Sequence, residues 1–248
     1  MFGAPKPFVH DDGHSKSLHF TYGQLQSRMS ISQPDALMLD YTRTMMGFLL
    51  LNPNPQRVAM IGLGGGSMAK YCCHHLPLTD LTVVEIDRHV VALRREFLVP
   101  DDGPLFRVLV ADGAQFVQHA ATGAFDVLLV DGFDQHGQSP QLCTQAFYDQ
   151  CHRVLAMGGL LVVNLHQDPD ELARFTHRIE QAFGHKPLEM PTLRVGNSVV
   201  FARKGMPLSL RAISQRAGDW RWEQDGHEQL EPEFMRIAWT LGDPQLLD

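Results

Sequence analysis

Arg57–Ile61 (RVAMI), running straight into Gly62-Leu63-Gly64-Gly65-Gly66-Ser67, is the stretch that decides the fold. A short run of consecutive apolar residues suits a strand buried on both faces, and the glycine turn after it opens a helix from Ser67 to about Leu76. The alternation repeats downstream. Leu81–Ile86 (LTVVEI) reads as a second strand and Arg88 to about Phe97 as a helix. Phe106–Ala111 (FRVLVA) is a third strand, followed by a helix to Ala120 with Asp112 as its cap. Phe125–Val130 (FDVLLV) is a fourth. After a turn-rich segment from Gly132 to Pro140 come a helix to about Leu155, a strand at Leu160–Leu165 opened by Gly158-Gly159, and a helix at Asp168–Phe183. A last strand, Arg194–Arg203, pairs with one near Lys186–Met190. Strands alternating with helices predict a doubly wound, mostly parallel α/β sheet of seven strands.

Outward from this core, Leu18–Leu39 reads as a β-hairpin split at Gln33-Pro34-Asp35, and Met206–Asp248 as one or two surface helices packed down by Trp220 and Trp222. The expected division is an N-terminal hairpin region at 1–52, the α/β sheet domain at 53–205 and a helical extension at 206–248.

Composition narrows the function. With 44% hydrophobic and 20% charged residues in 248, the chain can bury a real core and is not a disordered type. The 21 Lys and Arg against 28 Asp and Glu leave −7 without a basic block, so nucleic acid is not an expected partner. The longest apolar run, Met45–Leu51, is far short of a bilayer span, and the first residues lack the apolar core of a signal peptide. Cys72, Cys73, Cys143 and Cys151 form neither a disulfide framework nor a CxxC site; reduced thiols and a cytoplasmic protein are expected. Cys72-Cys73-His74-His75 resembles metal bait, but consecutive helical residues diverge by about 100°, so no metal is expected there.

In an open parallel sheet, ligands bind beyond the carboxyl ends of the strands. Four consecutive strands deliver to that rim a glycine loop (Gly62, Gly64 and Gly66 within it), Glu85, Asp112 and Asp131. The loop lets backbone approach a ligand, and Glu85, 23 residues after Gly62, is placed to accept bonds from two ribose hydroxyls. Asp112 serves equally as a helix cap or as an acceptor for an exocyclic adenine amine. A dinucleotide-binding dehydrogenase fits less well, because its third glycine falls on Ser67.

Together GLGGGS (62–67), VVEID (83–87), ADG (111–113) and FDVLLVDGFDQHG (125–137) resemble the spermidine synthase (polyamine aminopropyltransferase) family, built on the adenosylmethionine-dependent methyltransferase fold. LMLDY, TQAFYDQCHRVLAMGG and RVGNSVVFAR extend the resemblance over roughly residues 24–204. It implies transfer of an aminopropyl group from decarboxylated S-adenosylmethionine to a polyamine, without a metal, in a homodimer. Glu85, with Ile86 beside it, would hold the ribose, and Asp112 and Gly113 would meet the adenine. Asp131 matches the catalytic aspartate and Asp134 the acidic residue gripping the amine. Gln26, with Gln24 as the alternative, matches a glutamine facing the donor, and Tyr41 lies one place from an acceptor-binding register. Two departures stand out: Ser67 occupies the place of an acid that holds the donor's amine, and the acceptor segment before the first strand is shortened. They keep open a methyltransferase using intact S-adenosylmethionine, and a silent nucleoside-binding homologue.

Overall fold

The computed structural model describes residues 6–23, 25–134, 137–194, 196–209 and 227–242. An antiparallel sheet comes first, of β1 (Phe8–Asp11), β2 (Ser15–His19) and β3 (Leu25–Ser30). Two short helices follow, α1 (Asp40–Met46) and α2 (Phe48–Leu51). The alternating part runs β4 (Arg57–Ile61), α3 (Ser67–His75), β5 (Asp80–Glu85), α4 (Arg88–Ala92), β6 (Phe106–Val110), α5 (Gly113–His119) and β7 (Phe125–Val130). A small hairpin of β8 (Phe133–Asp134) and β9 (Gly137–Gln138) leads through a 3-10 turn at Pro140–Cys143 to α6 (Gln145–Val154). The chain then forms β10 (Leu155–His166), α7 (Pro169–Phe183), β11 (Leu188–Pro191) and β12 (Asn197–Arg203). A second 3-10 turn at Glu228–Leu230 precedes α8 (Glu231–Thr240).

The main sheet has seven strands in the order β11-β12-β10-β7-β4-β5-β6. Neighbours from β10 to β6 are parallel, and β12 is antiparallel to both β10 and β11. This is the expected doubly wound, mostly parallel sheet, and the alternation of its side chains explains why. Val58, Met60, Val127, Leu129, Leu160 and Val162 enter one hydrophobic cluster, while Ala59, Ile61, Leu128, Val130, Leu161 and Val163 enter another on the opposite face. Both faces are covered, so the strands read as unbroken apolar runs. The first face carries α1, α2, α3 and α8, and the second α6 and α7.

Several boundaries differ from the sequence reading. The hairpin placed at Leu18–Leu39 is formed by Ser15–His19 and Leu25–Ser30, with a further strand before it, and Gln33-Pro34-Asp35 lies beyond β3. The tighter turn chemistry sits at Asp12-Gly13, where the Asp12 carboxylate accepts the Ser15 amide at 2.6 Å and the His14 amide at 2.9 Å. Helix α4 stops at Ala92, and the fifth central strand starts at Leu155, its pairing with β7 shifting register between Leu155 and Leu160, around Gly158-Gly159. Helix α8, with Leu230 of the turn before it, buries Phe234, Ile237 and Ala238 in the first cluster, while Met235 and Trp239 face outward as on a surface helix. Its residue Glu233, 1% exposed, accepts from Thr44 of α1 at 3.1 Å and from Arg236 at 2.6 Å. Trp220 and Trp222 lie outside the described residues.

Candidate functional site

Sheet pairing carries on past the strands, which sets four loops level with one another. Gly62 donates to the Val84 carbonyl at 2.8 Å, Asp131 to that of Ile61 at 2.8 Å, and Ala111 to that of Glu85 at 3.0 Å. A cavity of about 750 Å³ opens there, a size suited to a nucleoside together with a small second substrate. Gln26, Tyr41, Gly62, Gly64, Glu85, Ile86, Asp112, Gly113 and Asp131 all line it. Gly66 does not: a Cβ there would lie 2.3 Å from Val99, so it closes the loop against the protein interior. Asp134 falls in β8, but its side chain lies outside the described residues, as do Gln24 and His136.

The glycine loop meets two different needs. Gly62 has φ +95°, and a Cβ on it would stand 2.1 Å from the Asp131 carbonyl oxygen, so only glycine lets β4 and β7 end this close together. Gly64 has φ +52° and an open side: its nearest neighbour would be Ser27 Cβ at 3.7 Å, leaving backbone for a ligand to approach.

Glu85 is 8% exposed, and its Oε2 accepts the Leu63 amide at 2.8 Å while Oε1 accepts that of Asp87 at 2.8 Å. Burial raises its pKa, and the amides of Asp87, Leu63 and Gly64 work against that rise. The carboxylate thus pins the loop and still turns lone pairs toward the cavity. Ile86, beside it, is 69% exposed, an apolar side chain at the cavity wall. Asp112 caps α5 by accepting the Gln115 amide at 3.0 Å, and it lines the cavity.

Asp131 sits at the other end. Burial raises its pKa, opposed by hydrogen bonds from Asn164 and Tyr41. Asn164 Nδ2 donates to its Oδ1 at 2.9 Å. The Tyr41 hydroxyl, its own pKa pushed well up by burial and then by the Asp131 charge, also lies 3.4 Å from the Gln26 carbonyl, so its single proton is shared between that carbonyl and Asp131. Tyr41 therefore ties the N-terminal sheet to the Asp131 end. At the glycine loop, Ser67 Oγ lies 3.4 Å from Ser27 Oγ, both buried and both lining the cavity. Phe133 of the small hairpin also lines it. The bait at 72–75 diverges as expected: Cys72 is buried, and His74 is exposed with its Nδ1 3.6 Å from Asp35.

The family model described as the spermine/spermidine synthase domain matches residues 38–186. The chain belongs to this family. A polyamine aminopropyltransferase from Chromobacterium violaceum is 35% identical over 218 residues, covering 87% of this chain and 83% of that one. A probable spermidine synthase from Corynebacterium glutamicum superposes with a TM-score of 0.72 at 24% identity, covering 84% of this chain and 82% of that one. Human methyltransferase-like protein 13, in complex with SAH, superposes with a TM-score of 0.64 at 19% identity, covering 82% of this chain and 90% of that one. These two likenesses are to the fold, which aminopropyltransferases and methyltransferases share.

For a member of the spermine/spermidine synthase family, the sequence reading omitted one part of the rim. Asn164 and His166 end the fifth central strand, and Asn197 begins the antiparallel β12 beside it; all three line the cavity. The strand-end rule that found Glu85, Asp112 and Asp131 would have found Asn164 had it been carried one strand further. Asn197 had no such signal, because only an antiparallel strand brings its first residue to this rim.

Proposed function

We propose that the chain transfers an aminopropyl group from decarboxylated S-adenosylmethionine to a polyamine amine, with Asp131 as the base. The observation that carries this reading is the juxtaposition, in one cavity, of a loop and carboxylate suited to a nucleoside with a second, partly buried carboxylate. Glu85 accepts from the ribose hydroxyls, Ile86 lies along the adenine, Asp112 and Gly113 meet its edge, and Gln26 faces the donor from the N-terminal sheet. Tyr41 and Asp134 orient the acceptor. The acceptor nitrogen forms a bond to the carbon next to sulfur, the carbon–sulfur bond breaks, and its electron pair stays on the sulfur as a neutral thioether. The nitrogen's proton passes to Asp131.

The magnitudes fit this division of labour. An alkylammonium with a lysine-like pKa near 10.4 costs about 4.6 kcal/mol to deprotonate at pH 7. A positioned base recovers on the order of 10²–10⁴ in rate. Alignment of two bound reactants contributes about 7–11 kcal/mol, so holding both in one cavity is the larger effect. The cytoplasm suits the described cysteines, all four of them free. No helix among the described residues is long and apolar enough to cross a membrane. A homodimer is proposed on the family resemblance and is checked by light scattering.

One feature favours a second reading. The Ser27–Ser67 hydroxyl pair is uncharged, so intact S-adenosylmethionine and methyl transfer fit the donor end as well. Calorimetry with the two donors separates them. Tight binding of decarboxylated S-adenosylmethionine, with methylthioadenosine released on adding a polyamine, is the expected result. Tight binding of the carboxylated donor alone would overturn the aminopropyl reading.

A further inference from the structure

Asn164 carries an amide that can present either its oxygen or its nitrogen to Asp131, and only one choice is useful. An ionised carboxylate accepts and cannot donate, so the amide must offer Nδ2, as it does at 2.9 Å. The reversed amide would set Oδ1 against the carboxylate and disfavour its charge. What selects the useful orientation lies one strand away. Asn197 Nδ2 donates to Asn164 Oδ1 at 2.8 Å, which occupies the acceptor end of the amide. The pairing of β10 with β12 sets His166 opposite Asn197 and Asn164 opposite Val199, so the two asparagines are diagonal neighbours. Asn164 is 1% exposed, and Gln138 of the small hairpin donates to its backbone carbonyl at 3.0 Å. Buried amides in such a chain polarise one another, and each has little freedom to turn over.

We propose that Asn197 is a positioning residue: it fixes the direction of the Asn164 amide and thereby holds Asp131 in the form that accepts a proton. The inference rests on the reading of Asp131 as base. The titratable groups sharing the cavity are Asp40 and Tyr41 from α1, Glu85 from β5, Asp112 before α5 and His166 at the end of β10. Among the described residues, Asn164 donates to Asp131 at 2.9 Å and the Tyr41 hydroxyl also reaches it.

The test follows the acid limb of the pH profile of kcat/KM, together with a direct carboxyl NMR titration of Asp131 in the ligand-free protein. Loss of the Asn164 bond in Asn164→Ala is expected to move the limb upward by about one to two pH units. Asn197→Ala is expected to move it in the same direction by on the order of half a unit. Asn197→Leu keeps nearly the same volume but offers no donor to Asn164 Oδ1 and adds no charge, so it should move the limb as far as Asn197→Ala. It also answers the question if Asn197→Ala proves unstable. The double variant Asn164→Ala/Asn197→Ala should behave as Asn164→Ala alone, because Asn197 then has nothing to orient. Limbs left in place in both Asn197 variants, or additive losses in the double variant, would overturn the proposal and leave Asn197 as packing only. Retained activity in Asp131→Asn would instead remove the base reading. The NMR titration would still show whether the two asparagines control the Asp131 charge.

Discussion

Two carboxylates, Glu85 buried and Asp131 partly buried, face one cavity, and they are held in opposite ways. Glu85, at the end proposed for the nucleoside, is held by backbone amides from residues 63 and 87, both within 22 positions of it. Asp131, at the other end, is held by the side chains of Tyr41 and Asn164, with Asn197 behind them. A backbone cradle survives almost any change in the neighbouring side chains, because every residue but proline supplies the same donor. A side-chain cradle depends on the identity of a few residues. The Glu85 end is thus built for constancy, and the Asp131 end can be retuned by single substitutions.

The sharpest break between the two ends is expected from Asp131→Asn. Proton acceptance is lost while the nucleoside end keeps its backbone bonds, so transfer should fall by on the order of 10²–10⁴. Methylthioadenosine affinity, measured by calorimetry, should stay within a few-fold of the unaltered protein. A parallel loss of nucleoside affinity would show that the two ends are not separable.

The same contrast explains what could be read without coordinates. Gly62–Gly66, Glu85, Asp112 and Asp131 follow strands whose apolar runs are unmistakable, and parallel topology converts their sequence order into one rim. The seven-stranded sheet was legible for the same reason. The cradle of Asp131 was not. Tyr41 was expected only in an acceptor register and Asn164 lay one strand past where the rule was applied, while Asn197, at the start of an antiparallel strand, had no local period or spacing to mark it. The N-terminal sheet was misplaced because Gln33-Pro34-Asp35 looks like a stronger turn than Asp12-Gly13, although the latter has the carboxylate-to-amide bonds that make one. Helix α8 was legible as a surface helix from its mixed composition, but the element it packs on was not. Its burial depends on α1, with Ile237 so close to Gly47 that a Cβ there would lie 2.3 Å away.

Glu85→Gln sharpens the comparison from the other side. The amide keeps the shape but loses the charge that strengthens bonds to ribose hydroxyls and to the loop. Hydrogen bonds to charged groups are worth about 1.5–3 kcal/mol, so methylthioadenosine should bind roughly 10- to 150-fold more weakly. At saturating donor the rate should change far less than in Asp131→Asn. An equal fall in saturated rate would mean that Glu85 also shapes the reacting end.

The smallest effect concerns stability without ligand, and its sign follows from burial. The folded-state pKa of Glu85 is raised above 4.5, so between those two values the folded chain binds more protons than the unfolded one. Ionising Glu85 therefore costs stability as pH rises from about 4.5 through the raised value, and the loss is complete above it. In Glu85→Gln this contribution vanishes, so the difference in unfolding free energy between the two proteins, followed by urea denaturation, should change across that window and flatten above it. Ribose hydroxyls donate to the ionised form, so saturating methylthioadenosine should lower the pKa and shrink the slope. Asp131, lacking a nucleoside donor, should keep its own slope under the same saturation. If ligand flattened both slopes equally, the nucleoside would be reaching the two carboxylates alike, and the separation between backbone-held and side-chain-held ends would fail.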